Sequence, residues 1–212
     1  MNNTGLVLLA AGASVRLGSP KQNLEFRGQT LLQHAVQAAR HSGCAPMVVV
    51  LGAKAHELRA QLNFPEITVV ENPAWQEGMG SSIRHGLQAL LQVAPDLDSV
   101  LLMTCDQPFV SGQLLQQLTA EKEKNLKKII ACAYQDTIGT PVLFDKQYFP
   151  DLLNLQGAPG AKKLLFRYPE AVGTVSFELG GFDIDTPTDY QTLQHYVAKL
   201  TDNPENSPEQ LN

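Results

Sequence analysis

Leu6-Val7-Leu8-Leu9-Ala10-Ala11-Gly12-Ala13-Ser14-Val15-Arg16-Leu17-Gly18-Ser19-Pro20-Lys21 is the stretch on which the reading of this chain turns. A short aliphatic run without alternation predicts a strand buried on both faces, as in a parallel sheet. It ends in a turn of small residues. Backbone N–H groups left free in such a turn cradle anions. Two cations follow at close spacing. The expected ligand is therefore a nucleoside triphosphate, with Ala11, Gly12 and Ala13 offering N–H groups. Arg16 would grip β/γ oxygens with its guanidinium fork. Lys21 would meet charge developing around the α-phosphate. The spacing Gly12-x5-Gly18-x2-Lys21 is neither a Walker loop nor G-x-G-x-x-G. An exposed loop with two ordinary cations is the plainer alternative.

Working outward, apolar runs alternate with helical patterns. Strands are expected at Leu6–Leu9, Met47–Leu51, Ile67–Val70, Ser99–Met103 and Ile129–Ala133, with two more at Thr140–Phe144 and Ala171–Phe177. Helices are expected at Leu31–Arg40, Ala55–Leu62, Ser82–Leu91, Gly112–Lys124, Asp145–Leu155, Ala161–Phe166 and Pro187–Leu200. This rhythm predicts an α/β fold: a mostly parallel sheet with helices on both faces. Ligands in such sheets bind beyond the carboxyl ends of the strands. One domain is expected over residues 1–200. Residues 201–212 are polar and aperiodic, and are expected to be disordered.

Composition narrows the class. The chain has 212 residues, 43% hydrophobic and 17% charged, ordinary values for a globular domain with a full core. Sixteen Lys and Arg against 21 Asp and Glu give a net charge of −5, which argues against general nucleic-acid binding. Cys44, Cys105 and Cys132 are far apart and odd in number, so disulfides and a structural zinc are not expected. The first apolar run has about six residues, against roughly 20 for a membrane span, and no basic segment precedes it. A cytoplasmic location is expected.

Three further clusters carry chemistry. Thr104-Cys105-Asp106-Gln107-Pro108 places a carboxylate just past a buried strand, where it suits Mg²⁺, a hard cation that prefers oxygen. An aspartate in a strand-to-loop turn is the plain alternative. Asp183-Ile184-Asp185-Thr186-Pro187 precedes the last helix; Asp185 or Thr186 there is a candidate N-cap, and Asp183 or Asp185 a second metal contact. Asn72-Pro73-Ala74-Trp75-Gln76-Glu77-Gly78-Met79-Gly80-Ser81-Ser82 reads as a loop before a helix, with Trp75 as lid or packing anchor. Its functional reading is a base and ribose pocket. Arg84 and His85, one turn on, are placed to face a second substrate, though a lone histidine there reads as polar surface and His85 is not counted among the site residues. Gly139-Thr140-Pro141 and the glycine-rich segment ending in Lys162 and Lys163 are candidates to receive an anionic acceptor.

In this order the segments resemble the MobA-like nucleotidyltransferases, above all the molybdenum cofactor cytidylyltransferase branch. The likeness rests on Leu9–Lys21, Glu77–Ser82, Cys105–Pro108 and Asp183–Pro187, and spans most of the chain from Leu9 to Tyr190. It implies a three-layer α/β/α sandwich with a Rossmann-like sheet of the nucleotide-diphospho-sugar transferase type. It implies transfer of CMP from CTP to the terminal phosphate of molybdopterin, releasing pyrophosphate. The implied nucleotide-binding residues are Leu9, Ala10, Ala11, Gly12, Ala13, Ser14, Arg16, Lys21, Asn72, Gly80, Ser81 and Ser82. The implied catalytic residues are Arg16, Lys21 and Asp106, and Asp106 and Asp185 would hold Mg²⁺, with Mn²⁺ an alternative. Gln107, Pro108, Gly139, Pro141 and Lys162 would meet the acceptor. A client molybdoenzyme is an implied partner; nucleic acid and membrane are not.

The Ala-Ala-Gly-x-Ser loop resembles the CTP-using branch, whereas the GTP-using branch more often has Ala-Gly-Gly. The family's Gly-Asp-x-Gly-Ala-Arg is here Gly157-Ala158-Pro159-Gly160-Ala161-Lys162, lacking a carboxylate and a guanidinium. GTP as donor, a sugar or polyol phosphate as acceptor, and a non-catalytic nucleotide-binding chaperone for a molybdoenzyme stand as alternatives.

Overall fold

The computed structural model describes residues 3–124 and 126–202. Nine strands are β1 (Thr4–Ala10), β2 (Glu25–Phe26), β3 (Gln29–Thr30), β4 (Met47–Leu51), β5 (Ile67–Glu71), β6 (Ser99–Thr104), β7 (Ile129–Tyr134), β8 (Thr137–Asp145) and β9 (Val172–Ser176). Seven α-helices are α1 (Leu31–Arg40), α2 (Ala55–Arg59), α3 (Met79–Val93), α4 (Gly112–Lys124), α5 (Phe149–Leu153), α6 (Lys162–Arg167) and α7 (Pro187–Asp202).

The sheet has seven strands in the order β5-β4-β1-β6-β8-β7-β9, and β2 and β3 form a separate small hairpin. β5, β4, β1 and β6 pair in parallel, as do β7 and β9. β8 alone runs antiparallel, against both β6 and β7. β1 is fully buried along its length, because alternate residues feed opposite cores. Leu6 and Leu8 face a core closed by Leu32 and Val36 of α1, Leu58 of α2 and Leu115 of α4. Val7 and Leu9 face one closed by Ile83 and Leu87 of α3, Leu152 of α5 and Leu165 of α6. The result is the expected three-layer sandwich. α7 packs through Leu193 in a third cluster with Phe26 and Leu31.

The topology positions the site. The chain leaves β1 toward β4 on one side and later returns through β6 on the other. β1 is therefore the switch point, and a crevice opens beyond its carboxyl end.

Several expected boundaries move. The Asp145–Leu155 helix is instead the end of β8, a short 3₁₀ turn and α5. The Asp145 side chain accepts from the Gln147 N–H and stops the strand there. α3 begins at Met79, so Gly80, Ser81 and Ser82 form its first turn rather than a preceding loop. α7 runs on to Asp202, two residues into the segment expected to be disordered; the rest of that segment lies outside the described residues. Among the described residues no helix is long and apolar enough to cross a membrane.

Candidate active site

Beyond β1 the chain turns through Ala11, Gly12 and Ala13 into Ser14, which adopts a left-handed φ of 53°. The Ser14 hydroxyl accepts from the Lys21 backbone N–H at 2.9 Å, and Ser14 O accepts from the Leu17 N–H. This staple closes the loop and brings the Lys21 side chain back over the crevice. Beyond β6, Asp106 emerges beside it. Ile184 N donates to Asp106 O at 3.0 Å, a backbone contact that carries the Asp183–Asp185 segment to the same place. The Thr186 hydroxyl accepts from the Asp189 N–H, and the Asp189 carboxylate from the N–H groups of Thr186 and Asp185. That capping box starts α7 and fixes the orientation of Asp185.

At the centre, Lys21 Nζ donates to Asp106 Oδ2 at 2.7 Å and to Asp185 Oδ1 at 2.8 Å. The Arg16 guanidinium donates to Asp185 Oδ2 at 2.7 Å from a far more exposed position. Burial alone would lower the Lys21 pKa. The charge of Asp106 and the hydrogen bonds to both aspartates outweigh burial and hold it above its ordinary value. Burial likewise works to raise Asp185, but Lys21 and Arg16 hold it below the usual carboxylate range. Burial, then the charges of Asp106 and Asp185, push Asp183 up to about 6. Asp106 and Asp185 thus share Lys21, Arg16 at the rim also pairs with Asp185, and the charges of Lys21 and Lys162 act on Asp183.

Among the described residues, no group of three or more histidine, cysteine, aspartate or glutamate side chains is arranged around a metal position. Asp106 and Asp185 nevertheless fit a divalent ion that completes its shell with phosphate oxygens and water, as Mg²⁺ usually does. Cys105 does not contribute: burial, then Asp106, pushes its thiol up to about 12, so it stays protonated.

Two adjoining cavities border these residues, one reached by Lys21 and Asp106 and the other by Asp183. A cleft of about 410 Å³ is lined by Leu9, Ala10, Ala11, Gly12, Ala13, Lys21, Ser82 and Asp106, with Trp75 among its walls. Trp75 sits tight against the turn after β4: a Cβ on Gly52 would lie 2.6 Å from the Trp75 Cβ. A second chamber, of about 200 Å³, shares Leu9, Met79 and Ala158 with the first. Its floor is apolar, from Ile83, Leu102, Val142 and Leu165. Its polar groups are Tyr134, Thr140, Lys162 and Asp183.

Other expected residues take supporting positions. Asn72 is fully buried; its amide donates to the hydroxyls of Ser81 and Ser82 and its oxygen accepts from the Ala74 N–H. Asn72 and Ser81 thereby join the end of β5 to the start of α3. Gly80 lies under the Gly157 loop, its N–H donating to Gly157 O at 3.1 Å. Ser82 lines the cleft, whereas Asn72, Gly80, Ser81, Ser14 and Arg16 do not. Gln107 is buried and donates to Thr140 O and Gly180 O, tying the end of β6 to β8. Pro108 and Pro141 are buried. Gly139 and Lys162 line the second chamber. Arg84 pairs with Glu77 at 2.9 Å and with Leu155 O, and His85 bonds Ser81 O at 3.2 Å, so both are engaged by the protein.

Gln22 and Tyr134 were not expected at the site. Gln22 is apolar in no respect, yet it is completely buried directly after Lys21. Tyr134 ends a strand that emerges at the same edge of the sheet as β6, a position legible once β7 is known to run beside β9 and β8.

Residues 6–172 match the family described as the MobA-like NTP transferase domain. The chain belongs to this family. The nicotine blue oxidoreductase of Paenarthrobacter nicotinovorans is 34% identical over 191 residues, covering 85% of this chain and 91% of that protein. The crystal structure of Rv0371c from Mycobacterium tuberculosis H37Rv is 30% identical, with a TM-score of 0.79 over 92% of this chain and 98% of that one. A structure of Rv0371c in complex with manganese aligns with a TM-score of 0.73, covering 92% of this chain and 99% of that one. The molybdopterin-guanine dinucleotide biosynthesis protein A of Archaeoglobus fulgidus, 17% identical with a TM-score of 0.63 over 92% of this chain and 99% of its own, shares the fold. The chain is thus a MobA-like nucleotidyltransferase.

Proposed function

We propose that the protein transfers CMP from CTP to the terminal phosphate of a molybdopterin-type acceptor and releases pyrophosphate. The observation that carries this reading is Lys21 held between Asp106 and Asp185 at the mouth of the β1 crevice. Phosphate-binding cations and oxygen ligands converge there beside the larger cleft, and Asp183 borders the smaller chamber. The larger cleft suits a nucleotide and the smaller chamber a compact acceptor body.

Asp106 and Asp185 would hold Mg²⁺ or Mn²⁺, and the complex of Rv0371c with manganese supports a divalent ion at this kind of site. When bound, the ion neutralises charge on the phosphate oxygens. Lys21 and Arg16 exchange their carboxylate partners for phosphate oxygens and stabilise charge on the departing pyrophosphate. The N–H groups of Ala11, Gly12 and Ala13 orient the triphosphate for in-line attack. The nucleophile is a phosphate already ionised near neutral pH, with a second pKa of about 6, so no side chain has to remove its proton.

The apolar floor of the second chamber and its polar groups Tyr134, Thr140, Lys162 and Asp183 suit a flat acceptor with polar edges such as a pterin, and a sugar or polyol phosphate is the rival acceptor. A product assay with CTP, Mg²⁺ and each acceptor class separates them. Pyrophosphate release with molybdopterin alone is expected; release only with a sugar or polyol phosphate would replace the acceptor.

A second reading follows from the relative named as an oxidoreductase: the same two cavities would hold a redox dinucleotide and a planar substrate. The loop after β1 lacks the G-x-G-x-x-G spacing that suits a dinucleotide pyrophosphate, which favours the transferase reading.

A further inference from the structure

Gln22 has no access to solvent, and its side chain is spent on the loop that precedes it. Nε2 donates to Ala10 O at 2.9 Å and to Gly12 O at 3.1 Å. Both acceptors are carbonyls, so only this orientation of the amide works; the flipped amide would set oxygen against oxygen. The orientation has a cost. Gln22 Oε1 is buried without a partner, the one such side-chain atom among the described residues.

The purpose lies in the peptide planes. Cis peptide bonds among the described residues occur only before Pro46 and Pro141, so the loop peptides are trans. In a trans peptide the C=O of one residue and the N–H of the next point in opposite directions. Anchoring Ala10 O to the buried Gln22 fixes that peptide plane and turns the Ala11 N–H away from the Gln22 amide. Anchoring Gly12 O does the same for the Ala13 N–H. Between them, Ala11 O accepts from the Ala53 N–H at 3.0 Å, which orients the Gly12 N–H. Ala11, Gly12 and Ala13 all line the larger cleft.

We propose that Gln22 is a positioning residue for nucleotide phosphates: it clamps two of three consecutive carbonyls so that the loop presents its N–H groups to the triphosphate. This inference rests on the triphosphate reading of the cleft. Gln22 itself borders the cleft, and the role assigned to it acts through the two carbonyls it holds.

The test is a calorimetric titration of the wild type and of Gln22→Met, which keeps side-chain volume and removes the donor. The ligands are Mg·CTP and cytidine, with circular dichroism to establish that the variant is folded. A phosphate clamp predicts that CTP binding weakens by about tenfold or more, while the cytidine affinity stays within about twofold. Equal weakening of both ligands, or unchanged CTP binding, would overturn it. A second measurement needs no variant: in the ¹⁵N–¹H spectrum of the wild type, Mg·pyrophosphate is expected to shift the amides of Ala11, Gly12 and Ala13. Shifts elsewhere only would overturn the clamp while leaving triphosphate binding standing. A wild type that binds none of CTP, GTP, ATP and UTP would instead remove the triphosphate reading, and the clamp with it.

Discussion

Lys21 and Asp106 face each other at 2.7 Å with most of both side chains withdrawn from water, and each is there because of the other. Replacing Asp106 with alanine leaves Lys21 its partner Asp185, so the fold is expected to survive. Turnover is expected to be abolished, as measured by pyrophosphate release; full activity would end the role assigned to this carboxylate. Lys21→Ala is expected to lower kcat by about a hundredfold or more, the usual loss for a group that meets transition-state charge. A change confined to KM would make Lys21 a binding residue instead.

His34 offers a check remote from the site. It is half-buried against Phe26, with ring centroids 4.9 Å apart, and its ring bonds Phe26 O. Burial lowers its pKa below 6.5; the bond to Phe26 O opposes this and Arg27 adds to it. The unfolded chain therefore binds the proton more readily, and stability is expected to fall as pH drops through 6.5 toward the lowered folded value. Urea midpoints between pH 7.5 and 5 should show a shallower slope in His34→Gln; an unchanged slope would contradict the assignment.

At the scale of elements, α3 lies tight against the sheet at Gly86. A Cβ on Gly86 would overlap Val7 and lie 2.9 Å from Val50 Cγ2. Gly86→Ala is accordingly expected to destabilise by about 1–3 kcal/mol, against the gain alanine usually brings inside a helix. An unchanged or raised melting temperature would mean that helix and sheet separate easily here. The same helix shows why some boundaries were hidden in the sequence. Gly78, Gly80 and two serines look like a loop, yet Gly78 has φ 103° and Gly80 fits under the Gly157 loop, so the helix starts among them. β1, β4 and β6 were legible because burial on both faces demands unbroken aliphatic runs. The reversal of β8 was not, because its hairpin turns through Gln135 and Asp136 in left-handed conformations, without the glycine that usually announces such a turn.

At the scale of the whole molecule, the loop after β1 and the carboxylate after β6 were readable because strand ends fix where they go. The place of Asp185 beside Asp106 and Lys21 was legible only through the family resemblance, because the backbone bond from Ile184 to Asp106 joins segments far apart in the chain. Gln22 was hidden, since a glutamine beside a lysine looks like surface until its burial is known. In the assembled site Lys21 and Arg16 are engaged by the carboxylates of Asp106 and Asp185. A triphosphate alone meets those carboxylates, and a metal ion alone meets the Lys21 ammonium. Each is therefore expected to need the other.

Calorimetric titration of CTP, GTP, ATP and UTP, each with and without Mg²⁺, tests this directly. The account predicts Mg²⁺-dependent binding, with CTP favoured by tenfold or more, about 1.4 kcal/mol. A preference for GTP would keep the phosphate and metal roles and change the donor. The absence of binding by any triphosphate in the presence of Mg²⁺ would contradict the account.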